Sequence, residues 1–173
     1  MSAIRAHTRL CWISPALVVL SWCAPAAAES PRALVDAGNQ AYSQAKYDQA
    51  IKAYEAAGGI DPESPGVYFN KGAAYYQQQE YDKAKEAFEQ ASVKTDDAQL
   101  EALSQYNLGN CMYRQGEAQA QGDLQAAVKT FENGVRYYQK ALELDPELGD
   151  AAHNLEVTRL TMKAVMDEIK RRE

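Results

Sequence analysis

The sequence predicts an all-helical fold, a stack of about three helix hairpins with the third enlarged, closed by a single C-terminal helix. Three observations predict it. A set of small and aromatic residues recurs at a spacing of 34, with Gly38 to Tyr42 falling on Gly72 to Tyr76. Prolines stand in short breaks between periodic segments, where they stop helices, and not within them. The last segment, 149–172, carries one apolar stripe and no breaker. The 173 residues suit one ordinary domain, and 46% apolar with 24% charged residues is the balance of a chain that buries a core.

The first 28 residues differ from the rest. Arg5, His7 and Arg9 make a basic start, Leu10 to Cys23 is apolar, and Ala24-Pro25-Ala26-Ala27-Ala28 is small. That order is read as a secretory signal peptide cleaved after Ala28, since the apolar run is short of the roughly 20 residues that span a bilayer. Lipid attachment at Cys23 is the rival reading, although Trp22 beside it fits a lipoprotein signal badly. Contact with a membrane is expected only through this segment or such a lipid. Export places residues 29–173 in the periplasm or, with the lipid, anchored to a membrane. Cleavage leaves one cysteine, Cys111, and 16 basic residues (18 less Arg5 and Arg9) against 24 acidic, a net charge of −8. Nucleic acid and anionic lipid reward clustered Lys and Arg and are not expected partners.

The first two units, about 31–64 and 65–98, align residue by residue. Tyr47-Asp48 falls on Tyr81-Asp82, Ala50 on Ala84, Tyr54 on Phe88 and Ala57 on Ala91. Small residues at fixed places are what closely crossing helices require. The third unit, about 102–148, is longer by 13 residues. Ala127, Phe131, Gly134, Tyr138 and Ala141 write the small–aromatic–small pattern twice, seven residues apart, so a heptad is added without rotating the buried face. The other six are placed in a longer first helix and turn around Gly116 to Gly122. The capping helix, 149–172, shows Leu148, Ala152, Leu155, Met162, Val165, Met166 and Ile169 as its stripe. Beyond Met162 the sequence offers this helix nothing to pack on, so that end is expected to dock a partner or pair with a second copy as a homo-oligomer.

Leu108-Gly109, Tyr75, Ala50, Tyr54, Phe88, Pro62 and Pro146 follow the pattern of the tetratricopeptide repeat family, which the chain resembles over about Pro31 to Leu155. The resemblance implies a right-handed superhelical stack whose first helices line a concave groove that binds a polypeptide. It places Asn39, Tyr42, Phe69, Asn70, Tyr76, Tyr106, Asn107, Asn110 and Tyr113 in that groove, with Val35 and Ala73 beside them. Aromatic side chains give contact area at low rotamer cost, and amides suit the main chain of an extended peptide. The alternative is that Tyr residues fill gaps between helices, the role expected of Tyr47, Tyr54, Tyr75, Tyr81 and Tyr138. Relatives that clamp the carboxylate tails of chaperones use basic residues where this chain has Val35, Leu103 and Asn107, so that ligand is not expected.

No catalytic constellation is present, and no enzyme, cofactor or metal is expected. His153 has no second ligand at metal spacing, Cys111 reads as a small buried hydrophobe, and no glycine loop is built to cradle phosphate. The stretch Tyr106 to Gly116, with Ala141 to Pro146 and Ala151 to Glu156, is similar to the exported repeat proteins of the bacterial aerotolerance (Bat) group, which are associated with von Willebrand A-type and MoxR-type proteins. The expected function is a cell-envelope scaffold for another protein. The alternative is a structural accessory of outer-membrane assembly or secretion.

Overall fold

The computed structural model describes residues 30–173, so the segment read as a signal peptide lies outside the described residues. Among the described residues seven helices follow one another: α1 (Pro31–Ser43), α2 (Tyr47–Ile60), α3 (Pro65–Gln77), α4 (Tyr81–Lys94), α5 (Ala98–Gln119), α6 (Leu124–Leu144) and α7 (Gly149–Arg172). Three of them, α1, α5 and α6, start where a side chain satisfies one of the first free N–H groups. Ser30 Oγ accepts from Ala33 N at 3.2 Å ahead of Pro31, Asp97 caps α5 through Gln99 N at 2.9 Å, and Asp123 caps α6 through Ala126 N at 2.9 Å. The Asp97 cap explains why the third hairpin begins at Ala98 and not near 102, as the repeat alignment suggested.

The first two hairpins turn in the same way. Ala45 (φ 55°) and Gln79 (φ 63°) occupy the left-handed region, 34 residues apart. Lys46 N donates to Ala41 O and Glu80 N to Tyr75 O, both at 3.0 Å, closing the helix ends by the 6→1 bond that normally calls for glycine. Both side chains are exposed and strained there for want of a glycine. Gln79→Gly is therefore expected to stabilise the protein by about 1 kcal/mol, raising its melting point by about 2–4 °C. An unchanged or lower melting point would deny the left-handed turn.

Within each hairpin, a glycine on the first helix lies under an aromatic ring on the second. A Cβ added to Gly38 would sit 2.4 Å from Tyr54, one on Gly72 2.9 Å from Phe88, and one on Gly109 2.6 Å from Tyr138. The third hairpin has this contact twice, since a Cβ on Gly116 would meet Phe131 at 2.6 Å. The added heptad thus exists on both helices. Gly109 and Tyr138 are 29 residues apart where Gly72 and Phe88 are 16 apart: seven residues separate Gly109 from Gly116, seven separate Phe131 from Tyr138, and Gly116 to Phe131 is one residue shorter than Gly72 to Phe88. At about 1.5 Å per residue, α5 and α6 rise roughly 10 Å beyond the shorter helices.

Helix α7 closes the stack. Its buried residues are Ala151 and Thr158, whereas Ala152, expected in the apolar stripe, is exposed. Ala151 is the residue that meets Ala141 and Tyr138 of α6. The far end of α7 is also not left bare. The lengthened α6 runs beside it, and Gln125 and Val128 share a cleft with Met166 and Ile169. Among the described residues, α1 touches α3, Arg114 of α5 bonds Tyr76 of α3, and α5 touches α7, whereas no comparable packing joins α2 to α4, and α4 meets α6 at the bond from the Tyr137 hydroxyl to Glu89. The odd-numbered helices therefore form the inner wall of a curved stack and the even-numbered ones its outer wall.

Candidate functional site

The inner wall carries three rows of side chains, set by their offset from the crossing glycine. Three residues before it stand Val35, Phe69, Tyr106 and, on α7, His153. One residue after it stand Asn39, Ala73, Asn110 and Val157, and four after it Tyr42, Tyr76, Tyr113 and Leu160. In α7 the glycine is replaced by Glu156, an exposed charge where a further second helix would have to cross.

The aromatic rows serve two purposes at once. Tyr42 meets Tyr47 edge-on at a 5.5 Å centroid separation, Tyr76 meets Tyr81 at 5.4 Å and Phe69 meets Phe88 at 5.6 Å. Tyr106 tilts against Tyr138 at 6.0 Å and Tyr113 against Phe131 at 5.7 Å. Each inner-wall ring is half-buried, one face held by its own hairpin and the rest open to the concavity. Of the rings assigned to the core, Tyr54 and Tyr138 are 1% exposed, while Tyr47, Tyr75 and Tyr81 are half-buried.

The asparagines form bonds within the stack. The Tyr54 hydroxyl donates to Asn39 Oδ1 at 2.8 Å, and Asn70 Nδ2 donates to the same oxygen from the next hairpin at 3.2 Å. The motif recurs where Tyr138 donates to Asn110 Oδ1 at 2.8 Å and Asn154 Nδ2 reaches it from α7 at 2.9 Å. The middle hairpin has Phe88 in place of the tyrosine and Ala73 in place of the asparagine, so ring hydroxyl and amide are present or absent together. Asn107, which faces that hairpin, turns back to donate to Leu103 O at 2.9 Å. These oxygens are already used, which leaves the amide row less free for a guest main chain than spacing alone suggested.

Tyr76, Asn110 and Tyr113 come together in one cleft of about 120 Å³, completed by Arg114, Asn154, Val157 and Thr158 over the buried Tyr138. Asn39, Tyr42, Phe69, Asn70, Tyr106 and Asn107 lie along the same wall outside it. Sequence reasoning passed over Arg114. It stands five residues after the glycine, a place held by Ser43, Gln77 and Thr161 in the other helices. Its Nε donates to the Tyr76 hydroxyl at 3.4 Å, its Nη1 pairs with Glu117 at 2.9 Å, and its guanidinium lies 5.9 Å from the Tyr113 ring centre. Burial raises the Tyr76 phenol above its usual range, with Arg114 pulling the other way, so the ring stays protonated and able to donate.

The described residues offer no group of three metal-ligating side chains, and none of their helices is long and apolar enough to cross a membrane. Cys111 is fully buried and burial pushes its thiol up to about 12, which keeps it protonated and inert. His153 is exposed on α7.

Two family models, both described as tetratricopeptide repeat, match residues 41–105 and 119–148, together more than half of the chain. Solved structures of similar fold include the tetratricopeptide repeat domain of Sgt2 from Aspergillus fumigatus, at 22% identity and a TM-score of 0.63 over 82% of each chain. The first such domain of Spaghetti (RPAP3), bound to an HSP90 peptide, is 22% identical with a TM-score of 0.57, over 79% of this chain and 95% of that one. The type III secretion chaperone SycD of Yersinia enterocolitica, in complex with a peptide of the translocator YopD, is 18% identical with a TM-score of 0.62, over 75% and 92%. No curated protein sequence matches this chain.

Proposed function

This chain belongs to the tetratricopeptide repeat family, and from that premise we propose that it is a non-catalytic scaffold of the cell envelope that holds a segment of another protein along its inner wall. The observation that carries the reading is the row Tyr42, Tyr76, Tyr113 and Leu160, three half-buried rings and an exposed leucine at one offset on α1, α3, α5 and α7. Rings held by packing against their own hairpins present apolar area at a reduced entropy cost of ordering on binding. Peptide-bound neighbours of the same fold support this use of the surface. The basic, apolar and small-residue order of residues 1–28 supports export, and the similarity to the Bat group supports components of a von Willebrand A-type and MoxR-type system as partners.

The test is the double substitution Tyr76→Ala and Tyr113→Ala. Capture of partner protein from an envelope extract is expected to be lost, with helix content retained and a cooperative melt. Unchanged capture would sink the proposal, and a melt that collapses along with capture would assign both rings to the core.

A further inference from the structure

Resting on that reading, we propose that the cleft at Arg114 is a subsite for one acidic side chain of the bound polypeptide, followed by an aliphatic residue. Its polar groups divide unevenly. Two of the acceptors are committed: Asn110 Oδ1 receives Tyr138 and Asn154, and the Tyr76 oxygen receives Arg114 Nε. The Thr158 hydroxyl spends its proton on Asn154 O at 2.7 Å. Donors remain. Arg114 uses Nε on Tyr76 and one Nη1 hydrogen on Glu117, which leaves three of its five N–H groups, and the Tyr76 O–H proton is directed away from the guanidinium.

A guanidinium bonded to Tyr76 of the preceding hairpin and lying over the Tyr113 ring at 5.9 Å is oriented with its free edge toward the cleft, the geometry that favours a carboxylate. Apolar surface adjoins it at Val157 and, one turn along α7, at Leu160, which is 59% exposed. The subsite admits one carboxylate and not a polyacidic tail. Glu117 stands beside Arg114, no other inner-wall helix has a cation at this offset, and the chain as a whole carries a net charge of −6.

The probe is a pair of libraries of short fluorescein-labelled peptides with blocked termini, random except for a central Glu-Leu or Gln-Leu. The full exported chain is expected to bind the Glu library about tenfold more tightly than the Gln library. Arg114→Gln should erase that preference while leaving the melting point unchanged, since Arg114 is half-exposed. Equal affinity of the wild type for both libraries, or a preference that survives Arg114→Gln, overturns the subsite. If the two libraries bind equally but the Tyr76/Tyr113 double variant binds neither, only the carboxylate subsite fails. If that double variant binds both as the wild type does, or if no peptide binds the wild type, the inner-wall reading fails with it.

Discussion

Tyr138→Ala is expected to destabilise the protein by about 3–5 kcal/mol, the cost of emptying a large buried aromatic site that cannot collapse. Tyr138 is 1% exposed and lies directly over Gly109, so its removal opens the centre of the tallest hairpin. Its hydroxyl also donates to Asn110 Oδ1 of α5, an oxygen that joins three helices because it accepts from Asn154 on α7 as well. Tyr138→Phe separates the two contributions. It keeps the ring, leaves Asn110 Oδ1 bonded to Asn154, and should cost only about 0.5–1.5 kcal/mol. Urea unfolding read by circular dichroism measures both. A loss below about 1 kcal/mol for the alanine variant would contradict the packing described here.

Gly116→Val should cost about 1–3 kcal/mol or more, although valine is the better helix former. The new Cβ would stand 2.6 Å from the Phe131 ring, which is itself fully buried and has no room to withdraw. Gly122 in the following turn is the control, since a Cβ there meets nothing within 4 Å and Gly122→Ala should be tolerated. The contrast bears on the added heptad. If Gly116→Val is as mild as Gly122→Ala, the second glycine–aromatic layer is not a packed one.

The fold was legible because its determinants are periodic. Gly38, Gly72 and Gly109 each mark a crossing, and the doubled pattern from Ala127 to Ala141 announced the longer α6. What sequence could not show were pairings between helices distant in the chain. Asn39 and Asn70 looked like a ladder for a guest peptide, yet their bond to each other depends on α1 and α3 lying side by side. Arg114 breaks the repeat pattern and so had no counterpart to draw attention to it, and its partner Tyr76 lies 38 residues away. The exposure of Ala152 and burial of Thr158 follow from the rotation of α7 on α6, which a broad apolar stripe leaves open by a residue. One clue was available. Tyr54 and Tyr138 accompany Asn39 and Asn110, whereas Phe88 accompanies Ala73, a co-occurrence within a single chain that marks a hydroxyl–amide bond.

Site-specific photo-crosslinking on the full chain addresses the inner wall most directly. A benzoylphenylalanine at Gln77 or Leu160 faces the concavity, and one at Gln90 or Val93 faces outward from α4, each at an exposed position. Covalent adducts with one and the same partner protein are expected from the two inner positions and not from the outer pair. Adducts formed only from Gln90 and Val93, or equally from all four, would contradict binding along the inner wall.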